Sequence, residues 1–436
     1  MKRYLLLVLP VFLAACTPKE SLPRVKRPDG FSERYTPERV VILSRHGIRS
    51  PLSRGGSAVS RVTPHRWHEW SSAPAELTRK GALLEVQMGQ YFRQVLLADG
   101  LLPSAGSPRE GAVRFYANSM QRTQATAHSF AAGFLPTDNV PVERHCDLGT
   151  MDPTFHPQTL SADSVFLRQA YAEVEALAGN GEACAMLKEN YPLLARVLDF
   201  DRSPAREAGD TNRFRLDDTK VTLTRLAEPH MDGTLKWACL AADALVLQYY
   251  EEPDARKAAF GRRLSFDGWK RISAVKDWYQ RVLFSAPVVA RDIARPLLGC
   301  IRDELMAPDR RFTFLCGHDA NLLSVLSALE AEPYELPGSV EADTPVGGKL
   351  VLTRWTGLDG QAYIELNLVY QTAAQLRSVS DLSLSRPPAA VSIGLNGLER
   401  NADGLYRLED VLDRMGEVIC CHPCGNCGQI QNNFVN

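Results

Sequence analysis

Short apolar runs near both ends of the chain break off at glycines or at clusters of ionisable residues. In the middle, apolar positions recur at helical spacing instead. Residues 40–43, VVIL, read as a short buried strand closed by the turn residues Gly47 and Pro51. RFYANSMQRTQATAHSFAAGF (114–134) predicts a short strand, a polar turn and a helix from about Arg122. RFTFLCGHDANLLSVLSAL (311–329) repeats that order, with its turn at Gly317. Between the first two, Leu84, Met88, Tyr91, Phe92 and Val95 fall at helical spacing, and Gly100 marks a stop. GGKLVLTRWTG and QAYIELNLVYQT predict two strands of a hairpin joined around residues 357–360.

This alternation predicts an α/β fold with a central, mostly parallel sheet layered by helices. From about 160 to 286 the pattern is mostly helical, as in SVFLRQAYAEVEALAG and WKRISAVKDWYQRVLF. The chain therefore divides into an α/β domain in two parts, 36–155 and 287–418, with a smaller helical cap domain, 156–286, inserted between them. Ligands of open α/β sheets bind beyond the carboxyl ends of strands. The Arg45-His46 turn and the His318-Asp319 turn both sit at such ends, and they share one crevice if their strands are neighbours.

Among 436 residues, 50 basic and 51 acidic side chains nearly cancel, with no basic tract, so a nucleic-acid partner is not expected. The N-terminus changes the picture more. Lys2 and Arg3 precede an apolar stretch that ends at Cys16, the layout of a secretory signal over residues 1–16. Leu13-Ala14-Ala15-Cys16 resembles a bacterial lipobox, which predicts lipidation of Cys16 and a periplasmic, membrane-anchored lipoprotein. Residues 17–35 are polar and proline-bearing, as suits a tether. Contact with the membrane is expected only through that N-terminal anchor. Export permits disulfides among Cys146, Cys184, Cys239, Cys300, Cys316 and four cysteines in the tail, 419–436. Cys421, Cys424 and Cys427 have zinc-compatible spacing but no second spaced pair, so a disordered or disulfide-bonded tail is preferred over a metal site.

Arg45, His46 and Arg49 crowd positive charge into one tight turn, and something anionic must complete it. Guanidinium forks match phosphate oxygens at any working pH. A neutral imidazole can attack phosphorus and carry the phosphoryl group covalently, while the surrounding cations spread the charge of the transition state. His318 and Asp319 open a helix, whose N-terminus attracts anions. Asp319 reads either as a simple helix cap or as a general acid. The second role requires an environment that raises its pKa.

Together RHGIRSP and CGHDAN resemble the signatures of the histidine acid phosphatase family. LTRKGALLEVQMGQYFR, YANSMQRTQATAHSF, GTMDPTFHP and TPVGGK are similar to blocks of its periplasmic glucose-1-phosphatase branch, over residues 38–415. The resemblance implies His46 as the phosphorylated nucleophile and Asp319 as the proton donor. It implies Arg45, Arg49, Arg122 and His318 as phosphate ligands, and Glu228 in LAEPHMDG as an entrance residue that limits substrate choice. It implies no cofactor and no metal. The expected substrate is a small phosphomonoester, glucose 1-phosphate or a similar sugar phosphate. Inositol hexakisphosphate is the alternative, and a non-catalytic lipoprotein that binds phosphate sugars is the rival of another class. Where that branch pins loops with disulfides, this chain has Ser107, Asp138, Arg206, Leu398 and Tyr406. His65 and His68 are expected at the rim of the cleft, and Asp152 and His156 carry no chemistry that the sequence supports.

Overall fold

The computed structural model describes residues 24–52, 58–179, 181–210 and 219–420. The signal segment, Cys16, Cys421, Cys424 and Cys427 lie outside the described residues. Strand β1 (Tyr35–Arg45) runs through the middle of an eight-stranded sheet. On one side it pairs in parallel with β6 (Phe312–Gly317), which is followed by β2 (Val113–Ala117) and β3 (Val142–Glu143). On its other side lies antiparallel β7 (Lys349–Gly357), then β8 (Ala362–Tyr370), with β9 (Ala389–Ser392) and β10 (Tyr406–Arg407) both paired to β8. The predicted hairpin is therefore β7–β8. The register sets Arg45 opposite Gly317, so the two expected turns emerge side by side.

Residues 40–43 are apolar throughout because β1 is covered on both faces. Val40 and Ile42 pack with Met88, Phe92, Phe115, Phe130 and Phe314 on one side. Val41 and Leu43 pack with Leu297, Leu298, Leu322 and Val411 on the other. The first layer is α1 (Arg79–Ala98) and α2 (Gln121–Phe134). The other layer comprises α7 (Pro287–Met306), α8 (Asp319–Ala328) and α9 (Leu408–Cys420). Between β3 and α7 stand α3 (Ser164–Ala178), α4 (Gly181–Leu198), α5 (Thr234–Glu251) and α6 (Phe266–Phe284). They share a core containing Phe166, Leu194, Leu245, Trp269 and Ile272. A two-stranded hairpin of β4 (Lys220–Thr222) and β5 (His230–Asp232) also lies in this region, without a counterpart in the expected pattern.

Two expectations change. The stretch assigned to a tether packs onto the domain before residue 35. Phe31 is buried edge-on against Trp355 at 5.1 Å, and Arg34 pairs with Asp403 at 2.7 Å. An aromatic ring that finds an apolar slot ends the linker. Disulfides also give way to other contacts: Cys146, Cys184, Cys239, Cys300 and Cys316 are unpaired among the described residues. At the positions where the glucose-1-phosphatase branch has its pins, and where none was expected here, Ser107 hydrogen-bonds Asp138, Leu398 packs on the core, and Tyr406 is buried.

Helices α1 and α2 touch backbone to backbone at Gly89 and Gly133. A Cβ at Gly89 would stand 2.1 Å from the Phe130 carbonyl oxygen, and one at Gly133 would stand 2.0 Å from that of Val86. Neither carbonyl can swing aside without breaking its helix, so the helices would have to separate. Gly133→Ala is expected to destabilise the protein by about 1–3 kcal/mol, the usual cost of overpacking. Denaturant unfolding of the two proteins checks this, and an unchanged midpoint would contradict the close crossing.

Candidate active site

The site forms where β1, β6 and β2 end together. The backbone N–H of His46 donates to the Gly317 carbonyl at 3.1 Å, extending the ladder one residue past β1. Gly47 then turns the chain, and its N–H donates to Thr126 Oγ1 on α2 at 3.0 Å. His46 is buried, with Nδ1 at 2.9 Å from the Gly47 carbonyl oxygen. A carbonyl can only accept, so Nδ1 carries the proton and Nε2 keeps the lone pair. Arg122 lies in the first turn of α2, and its Nη2 approaches His318 Nδ1 at 3.3 Å. His318 caps α8, its backbone N–H donating to Asn321 Oδ1 at 2.9 Å. The His46 and His318 rings are 5.6 Å apart.

A cavity of about 290 Å³ opens here, lined by His46, Arg49, Arg122, His318 and Asp319. The α5 and α6 helices complete it with Asp243, Lys276 and Tyr279, and Glu228 stands at its mouth. Arg49 Nη2 donates to Asp243 at 3.0 Å. Glu228 lies 3.5 Å from His156 Nε2, with its side chain 47% exposed. Arg45 was expected to hold phosphate but backs the wall instead. It is 1% exposed, its Nη1 donates to Glu341 and to the Thr344 carbonyl at 2.6 Å each, and its Nη2 is 3.2 Å from Asp319 Oδ2.

The family model described as Histidine phosphatase superfamily (branch 2) matches residues 38–369. The chain belongs to that family. As a histidine phosphatase it is a phosphoric monoester hydrolase. It is 38% identical to a glucose-1-phosphatase of Salmonella typhimurium over 86% of this chain and 91% of the relative. It is 31% identical to the phytase AppA of Escherichia coli over 85% and 89%. Among solved structures, the phytase from Citrobacter braakii superposes with a TM-score of 0.80 at 27% identity, covering 88% of this chain and 98% of that one.

In this histidine phosphatase the cations lower the proton affinity of imidazoles and carboxylates alike, whereas burial lowers the first and raises the second. Burial, reinforced by Arg122 and Arg49, holds His46 and His318 well below the ordinary histidine value, so both rings are neutral. Burial and Arg49 bring Arg122 down to about 10. Burial works to raise Asp319, but Arg45, Lys276 and Arg49 outweigh it and hold the carboxyl far below the usual range. These charges therefore keep Asp319 ionised, contrary to the raised pKa that its acid role required. Asp319 is also the first residue of α8 rather than its cap, which is His318.

Several groups escaped sequence reading. Glu341 accepts from Arg45 at 2.6 Å, Lys276 Nζ at 2.9 Å, Tyr250 Oη at 3.1 Å and the Val346 N–H at 2.9 Å. Lys276 and Asp243 each interrupt an apolar helical stripe, and a charge on a buried face is the signal that could have found them. His65 and His68 sit away from the cavity wall. His65 stacks on Phe260 at 5.0 Å and His68 approaches Glu252 at 3.3 Å.

Burial opposes ionisation of Glu341, yet Lys276 and Arg45 bring it down to about 2. A depressed carboxyl contributes stability that is fully present above its unfolded value and lost as pH falls through the folded one. The melting-temperature gap between wild type and Glu341→Gln is expected to hold constant above about pH 5 and to close as pH falls from about 4 toward 2. Thermal melts across that range check it.

Proposed function

We propose that this phosphatase is an exported acid phosphomonoesterase that releases phosphate from glucose 1-phosphate or a similar sugar phosphate through a phosphohistidine at His46. The observation that carries this reading is the unprotonated Nε2 of a neutral, buried His46 in the same cavity as Arg49, Arg122, His318 and Asp319. Phosphate oxygens take hydrogen bonds from Arg49, Arg122 and His318, while Arg45 adds positive potential from behind. His46 Nε2 forms a bond to phosphorus as the bond from phosphorus to the sugar oxygen breaks. The leaving oxygen takes a proton from Asp319.

That proton must be accounted for, since Asp319 is ionised. A bound phosphoryl group neutralises the cations that depress Asp319, and so raises the carboxyl's affinity for a proton. Below about pH 6 a phosphomonoester arrives as its singly protonated form and can deliver that proton itself. In the second step Asp319 removes a proton from water, water oxygen bonds to phosphorus, and the phosphorus–nitrogen bond breaks. The substrate preference rests on Glu228 at the mouth, which repels densely charged polyphosphates, and on likeness to a relative named glucose-1-phosphatase. Export and lipidation rest on the N-terminal pattern ending at Cys16. The cap reading of residues 156–286 is supported by Glu228, Asp243 and Lys276, which all reach the cavity from that stretch.

His46→Asn is expected to cut turnover by more than about 1,000-fold and to abolish the acid-labile, alkali-stable incorporation of radiolabelled phosphate that marks a phosphorus–nitrogen bond. Undiminished turnover or labelling would refute the phosphohistidine. Asp319→Asn is expected to cost about 100- to 10,000-fold with a sugar phosphate. It should cost far less with p-nitrophenyl phosphate, whose leaving group needs no proton, and kcat/KM of the wild type should fall as pH rises above about 6. Glu228→Gln is expected to raise relative activity on inositol hexakisphosphate. A wild-type preference for that substrate over glucose 1-phosphate would favour the phytase reading and leave the mechanism intact.

A further inference from the structure

The buried amide of Asn118 has no part in the phosphate contacts above. Asn118 follows β2, and its backbone N–H donates to the Cys316 carbonyl at 2.9 Å, which sets it beside His318. Its two side-chain ends are assigned by what they face. The backbone N–H of Asp152, 2.9 Å from Oδ1, can only donate. Oδ1 therefore turns to Asp152, and the amide NH₂ turns to His318 Nε2 at 2.7 Å. An amide NH₂ can only donate as well, so Nε2 holds the lone pair and the single ring proton of a neutral imidazole sits on Nδ1.

Nδ1 is the atom 3.3 Å from Arg122 Nη2. Both groups then present N–H donors, which cannot bond to each other and need an acceptor to share. Arg122 Nε, also buried, has no hydrogen-bond partner among the described residues. A phosphoryl oxygen supplies the missing acceptor. We propose that Asn118 is a positioning residue: aimed by the backbone N–H of Asp152, it fixes His318 in the Nδ1–H form, so that His318 and Arg122 donate to the same phosphoryl oxygen. This rests on reading the cavity as a phosphate site.

Asp152 in turn is held in place. Its carboxylate accepts from Tyr116 Oη at 2.7 Å and from the Thr154 N–H at 2.9 Å, which keeps its own N–H aimed at Asn118. That gives Asp152 a role the sequence did not supply. The same geometry excludes a doubly protonated His318, because an N–H at Nε2 would meet the amide N–H. The low basicity that burial and Arg122 impose on His318 agrees with this.

Asn118→Asp keeps the shape and the acceptor for the Asp152 N–H but replaces the donor facing Nε2 with an acceptor. A role limited to packing or to anchoring Asp152 would survive it. Nitrogen-15 spectra of histidine-labelled full-length protein, with His318 assigned through His318→Gln, are expected to find the proton on Nδ1 in the wild type. In the Asn118→Asp protein the proton should move to Nε2, and the inhibition constant of inorganic phosphate should rise roughly ten- to a hundredfold. A wild-type proton on Nε2 would overturn the proposal, as would unaltered phosphate affinity in an Asn118→Asp protein whose proton has moved. Should that variant not fold, the wild-type spectrum decides by itself. The spectra need no turnover, so loss of the phosphatase reading and loss of this one are separately visible.

Discussion

The Glu341 carboxylate, fully buried between Arg45 and Lys276, is the constraint on which the rest of the site depends. Burying cations is costly unless each has a partner, and leaving one charge of such a cluster unpaired costs more than the pairing gains. Arg45 must be buried because it ends a central strand covered on both faces. Glu341 neutralises it from the segment before β7, and Lys276 reaches the same carboxylate from α6. The clamp thus ties the end of the sheet to the helices that wall the cavity. Asp319 and Asp243 repeat the arrangement with Arg45 and Arg49. Guanidiniums of the site are thus held in place by carboxylates.

That arrangement explains how one cavity holds a neutral imidazole and an ionised carboxyl. Burial and positive charge push in the same direction on an imidazole, and both keep His46 unprotonated. On a carboxyl they oppose each other, and at Asp319 the cations win. A bound anion reverses the second effect more than the first. The acid role proposed for Asp319 is consequently a property of the occupied site rather than of the protein by itself.

The parallel pairing of β1 with β6 and of β6 with β2 supplies the geometry. Each strand delivers a turn to the same edge of the sheet: His46 after β1, His318 and Asp319 after β6, Asn118 and then Arg122 after β2. Close packing of α1 on α2 through Gly89 and Gly133 sets where Arg122 and Thr126 stand relative to the β1 turn. Small residues far from the chemistry in this way determine its distances.

Local pattern was enough to locate β1, β2, β6, β7, β8 and the site-bearing turns, because an apolar run closed by glycine and charge is written in adjacent residues. It also marked His46, Arg49, His318 and Asp319, whereas Arg122 and Glu228 came only through the resemblance to the histidine acid phosphatases; all six line one cavity. What the sequence could not determine depends on groups brought together from distant segments. Arg45 is legible as a cation near phosphate, but its commitment to Glu341 and Asp319 follows from contacts across nearly 300 residues of chain. The low pKa of Asp319 is a sum over Arg45, Lys276 and Arg49, so no single motif contains it. The proton position on His318 depends on an amide turned by another residue's backbone N–H. Residue types and strand ends are local properties of the chain, whereas charge state and hydrogen-bond direction belong to the assembled neighbourhood, which only the tertiary structure decides.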